Sequence, residues 1–152
     1  MNGKEDLQAL YRQTVLEHSR SPRNFLRLEN ADRVTVGHNP LCGDKITLYL
    51  RLENNRIEDL AFEGTGCAIS IASASIMTES VKNRDFDDAQ EEIDKILLQF
   101  NSTVAEGDKV EGDMAALGGV RAFPSRIKCA TLAWKTLEAA LRNDEQTTTT
   151  EN

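Results

Sequence analysis

Three cysteines and the residues beside them are the part of this 152-residue sequence that could carry chemistry. Cys42 lies in a loop that also contains Gly43 and Asp44. Cys67 and Cys129 each come near the start of a predicted helix, where the positive end of the helix dipole favours a thiolate. If this loop and both helix starts meet at one end of a sheet, three thiolates and one carboxylate form a four-ligand set. Zinc accepts such a set in tetrahedral geometry, and thiolates also suit iron.

The residues by themselves leave other interpretations open. The sequence has no CxxC pair, so the cysteine spacing alone specifies no zinc-finger site. A cysteine between small residues, such as Cys67, is commonly a buried apolar side chain, and Asp44 could stabilise a turn beside a glycine. His38 could serve Cys42 as a catalytic base, although a solvated loop histidine is the simpler interpretation. His18 is expected to interact with the C-terminal carbonyl groups of the first helix.

A small antiparallel sheet is predicted after the first loop. Apolar and polar residues alternate from Lys45 to Leu52, which indicates a strand buried on one face. Asn54-Asn55 predicts a turn, because asparagine tolerates positive φ angles. A second strand is predicted over 57–62, and residues 33–36 can pair as a third.

Several helices are predicted around this sheet. The first, over Asp6 to His18, is indicated by apolar residues at helical spacing that should face inward: Leu7, Leu10, Tyr11 and Val15. Small and apolar residues from Cys67 to Val81 predict a second helix, and apolar spacing predicts a third over Asp85 to Phe100. Pro124 stands at the favoured first position of a last helix. The predicted fold class is α+β, with a three-stranded antiparallel sheet packed against several helices.

Composition and charge limit the class of protein. The length suits one domain, assigned to residues 1–142, and residues 143–152 contain no apolar side chain, so we predict a disordered tail there. A net charge of −7 argues against a nucleic-acid partner, and no apolar segment has the roughly 18 residues that a membrane helix needs. The N-terminus lacks the apolar stretch of a signal peptide, so we expect a cytoplasmic protein with reduced cysteines.

Five segments resemble the IscU/NifU-like iron–sulfur cluster assembly family. They are Leu10-Tyr11, Asn39 to Asp44, Phe62 to Ser70, Ala72 to Ser75 and Arg126 to Trp134. The resemblance extends from about Leu7 to Leu141, and the SufU type is the most similar. Lys128 precedes the third cysteine, where IscU-type members carry a histidine, and the stretch between Cys67 and Cys129 is longer than in those members.

The resemblance to the SufU type implies a function in sulfur transfer. It implies a compact α+β domain with a zinc site formed by Cys42, Asp44, Cys67 and Cys129. It also implies that Cys42 is the catalytic residue, which takes persulfide sulfur from a pyridoxal-phosphate cysteine desulfurase (SufS-like). Such a protein is a sulfurtransferase-like acceptor rather than a free-standing enzyme, and downstream iron–sulfur assembly proteins act after it.

Three points remain open within this family. The same ligands could instead make the protein a scaffold on which a transient [2Fe–2S] cluster is assembled and transferred to apo-proteins. His38 departs from the family pattern, and whether it is an additional metal ligand is left open. The basic segments Arg20 to Arg33 and Arg126 to Lys128 are candidates for docking the desulfurase.

Overall fold

Helices and a small sheet alternate along the chain. The computed structural model describes residues 3–101 and 112–142 and the backbone of Thr148–Thr149, and it describes residues 3–7 by their backbone alone. The elements in order are α1 (Gly3–Arg20), β1 (Arg33–Asn39), β2 (Asp44–Glu53), β3 (Arg56–Thr65), α2 (Ala68–Val81), α3 (Phe86–Asn101), α4 (Asp113–Leu117), α5 (Ile127–Leu141) and β4 (Thr148–Thr149). Two short 3₁₀ segments, Gly118–Ala122 and Pro124–Arg126, lead from α4 into α5.

The predicted antiparallel sheet is formed by β1, β2 and β3. β2 pairs with β1 on one side and with β3 on the other, and the short β4 adds a parallel pairing to β1. Three β2 side chains of the predicted inward face are fully buried: Ile46, Leu48 and Leu50. The predicted alternation fails at Tyr49, which lies on the other face and is also buried, at 9% exposed. Asn54 and Asn55 have φ angles of 52° and 62°, which suits a two-residue turn between twisted strands. The α+β class is therefore confirmed.

β1 and α5 approach each other closely at a glycine. A Cβ atom built on Gly37 would lie 1.9 Å from Thr136 Oγ1, so a larger residue would push α5 away from the sheet. The side chains of Thr35 and Asn39 are buried on the same strand, whereas Val34 and His38, at alternate positions, are exposed. The inward face of β1 therefore ends at Asn39, immediately before the loop that carries Cys42.

α2 and α5 pack together and form the centre of the core. Ser73 Oγ donates a hydrogen bond to the Ala130 carbonyl oxygen at 2.6 Å and accepts one from Trp134 Nε1 at 3.0 Å. Small residues along α2 allow the backbone of α5 to come this close. This contact fixes the two helix N-termini relative to each other, and each N-terminus carries a cysteine.

α1 buries a different stripe from the predicted one. Tyr11 and Val15 are buried as predicted, but Leu10 is 46% exposed, so its predicted inward position is wrong. The buried stripe has helical i, i+3, i+4, i+7 spacing and consists of Tyr11, Thr14, Val15 and His18. Two polar residues, Thr14 and His18, belong to this stripe, and Leu10 lies outside it. The side chain of Leu7 lies outside the described residues.

The predicted start of the last helix differs from the structure, and the predicted boundary between the domain and its tail is untested. The last helix begins at Ile127, because Pro124 opens a 3₁₀ turn before it. The predicted disordered tail, residues 143–152, lies outside the described residues except for the backbone of Thr148–Thr149, which pairs with β1. The assignment of one domain to residues 1–142 stays a prediction.

Candidate metal centre

The four predicted ligands come together where the β1–β2 loop meets the starts of α2 and α5. Cys42 lies in that loop, and Asp44 is the first residue of β2. Cys67 immediately precedes α2, and Cys129 is the third residue of α5. Three separate boundaries between elements thus supply the side chains of one cluster.

The distances within the cluster fit a single small cation. Cys42 Sγ lies 3.4 Å from Cys129 Sγ, and Cys67 Sγ lies 3.9 Å from Asp44 Oδ2. The ligand atoms of Cys42, Asp44 and Cys129 are all within 4.8 Å of one another. Cys67 is outside this three-residue group, but it contacts both Asp44 and Cys129. Sulfur and oxygen ligands of a tetrahedral zinc ion lie roughly 3.5–3.8 Å apart, so the donor set suits zinc. Cys42, Asp44 and Cys129 are grouped closely enough to share one ion, whereas Cys67 lies more than 4.8 Å from at least one of these three ligand atoms.

The backbone of Cys67, the neighbouring candidate ligand, holds the Asp44 side chain in place. Its side chain is fully buried, and Oδ1 accepts a hydrogen bond of 2.8 Å from the backbone N–H of Cys67. Gly66 makes this contact possible: its φ is 144°, and a Cβ atom there would lie 2.2 Å from Asp44 Oδ1. The glycine before Cys67 therefore leaves room for the carboxylate.

Cys67 and Cys129 share one proton. A hydrogen bond from the Cys129 thiol lowers the pKa of Cys67 to about 6, against the opposing effect of burial, and the backbone N–H of Ser70 lowers it further. The same hydrogen bond, together with burial, raises the pKa of Cys129. The negative charge therefore resides on Cys67 and the proton on Cys129, as expected for a thiolate at a helix N-terminus.

Cys42 is the accessible thiol of the three. Its side chain is exposed, that of Cys67 is partly buried, and that of Cys129 is fully buried. The Cys42 backbone N–H donates to the Asn39 carbonyl oxygen at 3.3 Å, and Gly43 follows with a φ of 72°. A reagent from outside the protein therefore reaches Cys42 before it reaches the helix-bound cysteines.

Three further residues lie at this site without having been predicted as site residues. Asn39 Nδ2 is 3.9 Å from Cys129 Sγ, and the exposed Arg126 guanidinium makes a hydrogen bond to Cys129 that raises the pKa of Arg126. The Tyr11 hydroxyl is buried close enough to feel the charge on Cys67. Arg126 could have been found from its i, i+3 spacing to Cys129. Nothing local in the sequence indicates that Tyr11 approaches Cys67.

The predicted roles of the two histidines are not supported by the geometry. His38 is exposed on β1 opposite Lys45, and it belongs to no ligand group of the described residues. The interaction of His18 with helix carbonyls is a wrong prediction. Its ring nitrogens lie 2.7 Å from Ser75 Oγ and 2.7 Å from Asp113 Oδ2.

His18 also belongs to a second group of possible ligands, with Glu79 and Asp113. Both ring nitrogens of His18 already have hydrogen-bond partners, and the Arg23 guanidinium lies 3.9 Å from Glu79. Because Arg23 lies beside Glu79 and both His18 nitrogens have partners, we interpret this group as a structural contact between α1, α2 and α4.

Comparison with known proteins identifies the family. Residues 10–150 match the NifU-like N-terminal domain family. The chain belongs to this family. A zinc-dependent sulfurtransferase SufU from Bacillus subtilis is 42% identical over 146 residues, which cover 95% of this chain and 98% of that protein. An iron–sulfur cluster assembly scaffold protein IscU from Streptococcus pyogenes is 38% identical over 136 residues, which cover 90% and 85% of the two chains.

A solved structure supports the fold of this NifU-like domain. A candidate iron–sulfur cluster assembly scaffold protein for the SUF system from Fervidobacterium islandicum superimposes with a TM-score of 0.77 at 33% identity, over 88% of this chain and 97% of that one. The predicted IscU/SufU-like fold and the family resemblance are thereby confirmed. In the described part of the chain, the helices are all too short or too polar to cross a membrane.

Proposed function

We propose that this protein is a zinc-bound sulfur acceptor in iron–sulfur cluster assembly, which takes persulfide sulfur from a cysteine desulfurase at Cys42. One observation carries the proposal: an exposed thiol on a glycine-containing loop lies 3.4 Å from a buried thiol at a helix start. The likeness to a relative named as a zinc-dependent sulfurtransferase supports it.

The residues that would hold zinc are Cys42, Asp44, Cys67 and Cys129. Zinc would keep the thiols deprotonated, and its binding would release their protons. Three thiolates and a carboxylate carry more negative charge than one divalent ion, so the nearby Arg126 guanidinium offsets part of the excess. This charge balance supports a divalent cation at the site.

The sulfur-transfer step needs one mobile thiolate and no oxidant. The Cys42 thiolate attacks the outer sulfur of the desulfurase persulfide, a new S–S bond forms at Cys42, and the old S–S bond breaks. The desulfurase cysteine leaves as a thiolate, so one neutral sulfur atom has moved between two thiolates. The Cys42 loop moves at lower cost than Cys67 or Cys129, each of which is held at a helix start.

The surface around Cys42 suits a protein partner. Leu41 is 68% exposed and Phe123 is 42% exposed, and the exposed Arg126 lies beside the same cysteine cluster. Apolar side chains with an adjacent cation are typical of interface centres. In the other basic segment, Arg23 binds Glu17 at 2.6 Å and Arg33 binds the C-terminal carbonyls of α5. We therefore propose that the desulfurase docks around Leu41 and Arg126, and that the protein acts in the cytoplasm, where its thiols stay reduced.

A cluster scaffold is the rival function, because a relative carries that name and the same four ligands could hold iron. The first test is the zinc, iron and acid-labile sulfide content of protein purified without oxygen. About one zinc per chain without sulfide supports the acceptor, and iron with matching sulfide supports the scaffold.

The second test assigns the acceptor cysteine. Zinc-loaded wild type, Cys42→Ser and Cys67→Ser are each mixed with a cysteine desulfurase and L-cysteine, and persulfide is located by mass spectrometry of trapped peptides. We expect that only the wild type carries persulfide on Cys42 and that only the wild type increases the turnover rate of the desulfurase. Full sulfur acceptance by Cys42→Ser, together with its loss in Cys67→Ser, would reverse the assignment.

A further inference from the structure

Asn39, the last residue of β1, contacts three of the four candidate ligands, and its side chain is fully buried. The Nδ2 amide group donates a hydrogen bond to Cys129 Sγ, with 3.9 Å between the two atoms. The backbone carbonyl oxygen accepts a hydrogen bond of 3.3 Å from the backbone N–H of Cys42, and the residue pairs with Asp44 of β2. One residue therefore joins the Cys42 loop, the start of β2 and the start of α5.

The strand holds this amide against α5. A Cβ atom at Gly37 would lie 1.9 Å from Thr136 Oγ1, so β1 lies directly on the last helix. Asn39 points to the same side of β1 as Gly37, because alternate residues of a strand share a face. Pro40 follows and restricts the backbone of Asn39 to an extended conformation. The amide therefore reaches α5 from a paired part of the sheet, whereas Cys42 lies in a loop.

The oxygen end of this amide has no partner among the described residues. Asn39 Oδ1 is buried and makes no hydrogen bond in that part of the chain. Asn24, in contrast, uses both ends of its amide, with Thr78 and with Lys82. An unpaired buried carbonyl group costs stability, so native structures seldom keep one without a reason. An apolar residue would avoid this cost, so we infer that the position requires the amide N–H that faces Cys129.

We propose that Asn39 is a positioning residue whose amide N–H keeps the Cys129 sulfur at the metal while Cys42 reacts. The proposal rests on the proposed function, in which Cys129 is a zinc ligand. Hydrogen bonds to the ligands of a metal orient them and strengthen metal binding. When Cys42 leaves the metal to take sulfur, an oriented Cys129 limits the loss of zinc. The Cys42 loop can move without disturbing this contact, because it is bonded to the backbone of Asn39 and not to its side chain.

The variant Asn39→Leu removes the amide and keeps a side chain of similar size. Thr35→Val is the matched control, because Thr35 lies on the same buried face of β1 and pairs with Leu48 in the middle of β2. We expect metal-free Asn39→Leu to unfold at a urea concentration at least as high as wild type, since it buries no unpaired carbonyl group. Its zinc affinity, measured by competition with a chromophoric chelator, should fall about 10-fold to 100-fold. Thr35→Val should keep the wild-type zinc affinity.

Alkylation of the protein in excess zinc gives a readout that is independent of activity. Mass spectrometry follows the three thiols separately, because trypsin places each cysteine in a different peptide: residues 34–45, 57–82 and 129–135. In the wild type, iodoacetamide should modify the exposed Cys42 first. In Asn39→Leu, we expect the alkylation rate of Cys129 relative to that of Cys67 to rise about 10-fold. Asn39→Ala, which removes the amide without adding bulk, should raise the same ratio.

A purely structural role of Asn39 gives a different result. General loosening of the fold would raise the alkylation rates of Cys67 and Cys129 together and leave their ratio unchanged, with a lower urea midpoint. That result would overturn the proposal, and so would wild-type zinc affinity in both variants.

The outcomes also separate this proposal from the proposed function. If wild type accepts sulfur and the variants keep the wild-type ratio and zinc affinity, the positioning role is wrong and the function stands. If the ratio rises as expected but wild type accepts no sulfur, the positioning role stands and the sulfur-acceptor function is wrong.

Discussion

The substitution Gly66→Ala tests whether the cluster depends on the close approach of Asp44 to the backbone before Cys67. A Cβ atom at position 66 would lie 2.2 Å from Asp44 Oδ1 and 2.9 Å from Asp44 Cα, so the carboxylate or the strand must move. The φ of 144° is also a conformation that alanine rarely adopts. Either adjustment breaks the hydrogen bond from the Cys67 backbone N–H to Asp44.

The expected loss of stability follows from these two effects. Backbone strain at such a φ costs about 1–3 kcal/mol. A hydrogen bond to a charged acceptor contributes about 1.5–3 kcal/mol. We therefore expect the free energy of unfolding of metal-free Gly66→Ala to be about 2.5–6 kcal/mol lower than that of wild type. Zinc affinity should fall at least about tenfold, because the displaced carboxylate no longer faces the thiols.

Gly43→Ala is the matched control in the loop that carries Cys42. Gly43 also has a positive φ, of 72°, but no atom lies within 4 Å of a Cβ built there. It should lose only about 1–2 kcal/mol. Urea unfolding of chelator-treated protein, followed by the fluorescence of Trp134, gives both values, and zinc competition gives the affinities. Equal stability of the two variants, or wild-type zinc affinity in Gly66→Ala, would refute the reasoning.

Three further predictions concern the scaffold around the site. Ser73→Ala leaves the buried Trp134 Nε1 without an acceptor and should lower the free energy of unfolding by about 1–3 kcal/mol in urea titrations. Gly37→Ala places a Cβ 1.9 Å from Thr136 Oγ1 and should lower it by about 1–3 kcal/mol, with partial recovery when Thr136→Ala is added. Burial raises the pKa of Asp59, but a backbone N–H and an ion pair bring it below its ordinary value of 3.8. The stabilisation from Asp59 should therefore be present above pH 3.8 and be lost as the pH falls through the lower pKa of the folded protein. Unfolding measured as a function of pH should show that the stability of Asp59→Asn falls less steeply at acid pH than that of wild type.

Local patterns predicted the sheet well because its determinants are local. Alternation along β2 depends on one buried face, and the turn at Asn54-Asn55 depends on two residues that accept positive φ. The inward face of α1 was harder to predict, because burial there is decided by long-range contacts. His18 is buried since Ser75 and Asp113 satisfy its ring, while the apolar Leu10 has no place in the core.

The four candidate ligands could be selected from the sequence, and their role at a metal stays a prediction, whereas the residues around them could not be selected. Thiols and a carboxylate are recognised by type, and their positions at element boundaries suggested a common site. The contacts of Asn39 and Arg126 with Cys129 depend on how α5 packs, which no local pattern encodes. The outward position of His38 follows from the register of β1, because neighbouring residues of a strand face opposite sides.

The antiparallel topology explains why three of the four ligands meet. In a meander of antiparallel strands, the C-terminal end of β1, the N-terminal end of β2 and the C-terminal end of β3 lie at the same end of the sheet. Asn39 pairs with Asp44 and Lys45 with Thr65, so Cys42, Asp44 and Cys67 are neighbours by connectivity alone. Cys129 joins them only because α5 packs on both α2 and β1.

The secondary structure also supports the different roles that the proposed function gives to the three thiols. Cys67 and Cys129 stand at helix starts, where the backbone is rigid and the dipole favours negative sulfur. Cys42 stands on a loop with a glycine beside it and faces solvent. A group that must accept sulfur and pass it on has to move, whereas the groups that keep the metal have to stay. Under the proposed function, we therefore expect only Cys42 to leave the metal, while Cys67 and Cys129 at their helix starts keep it bound.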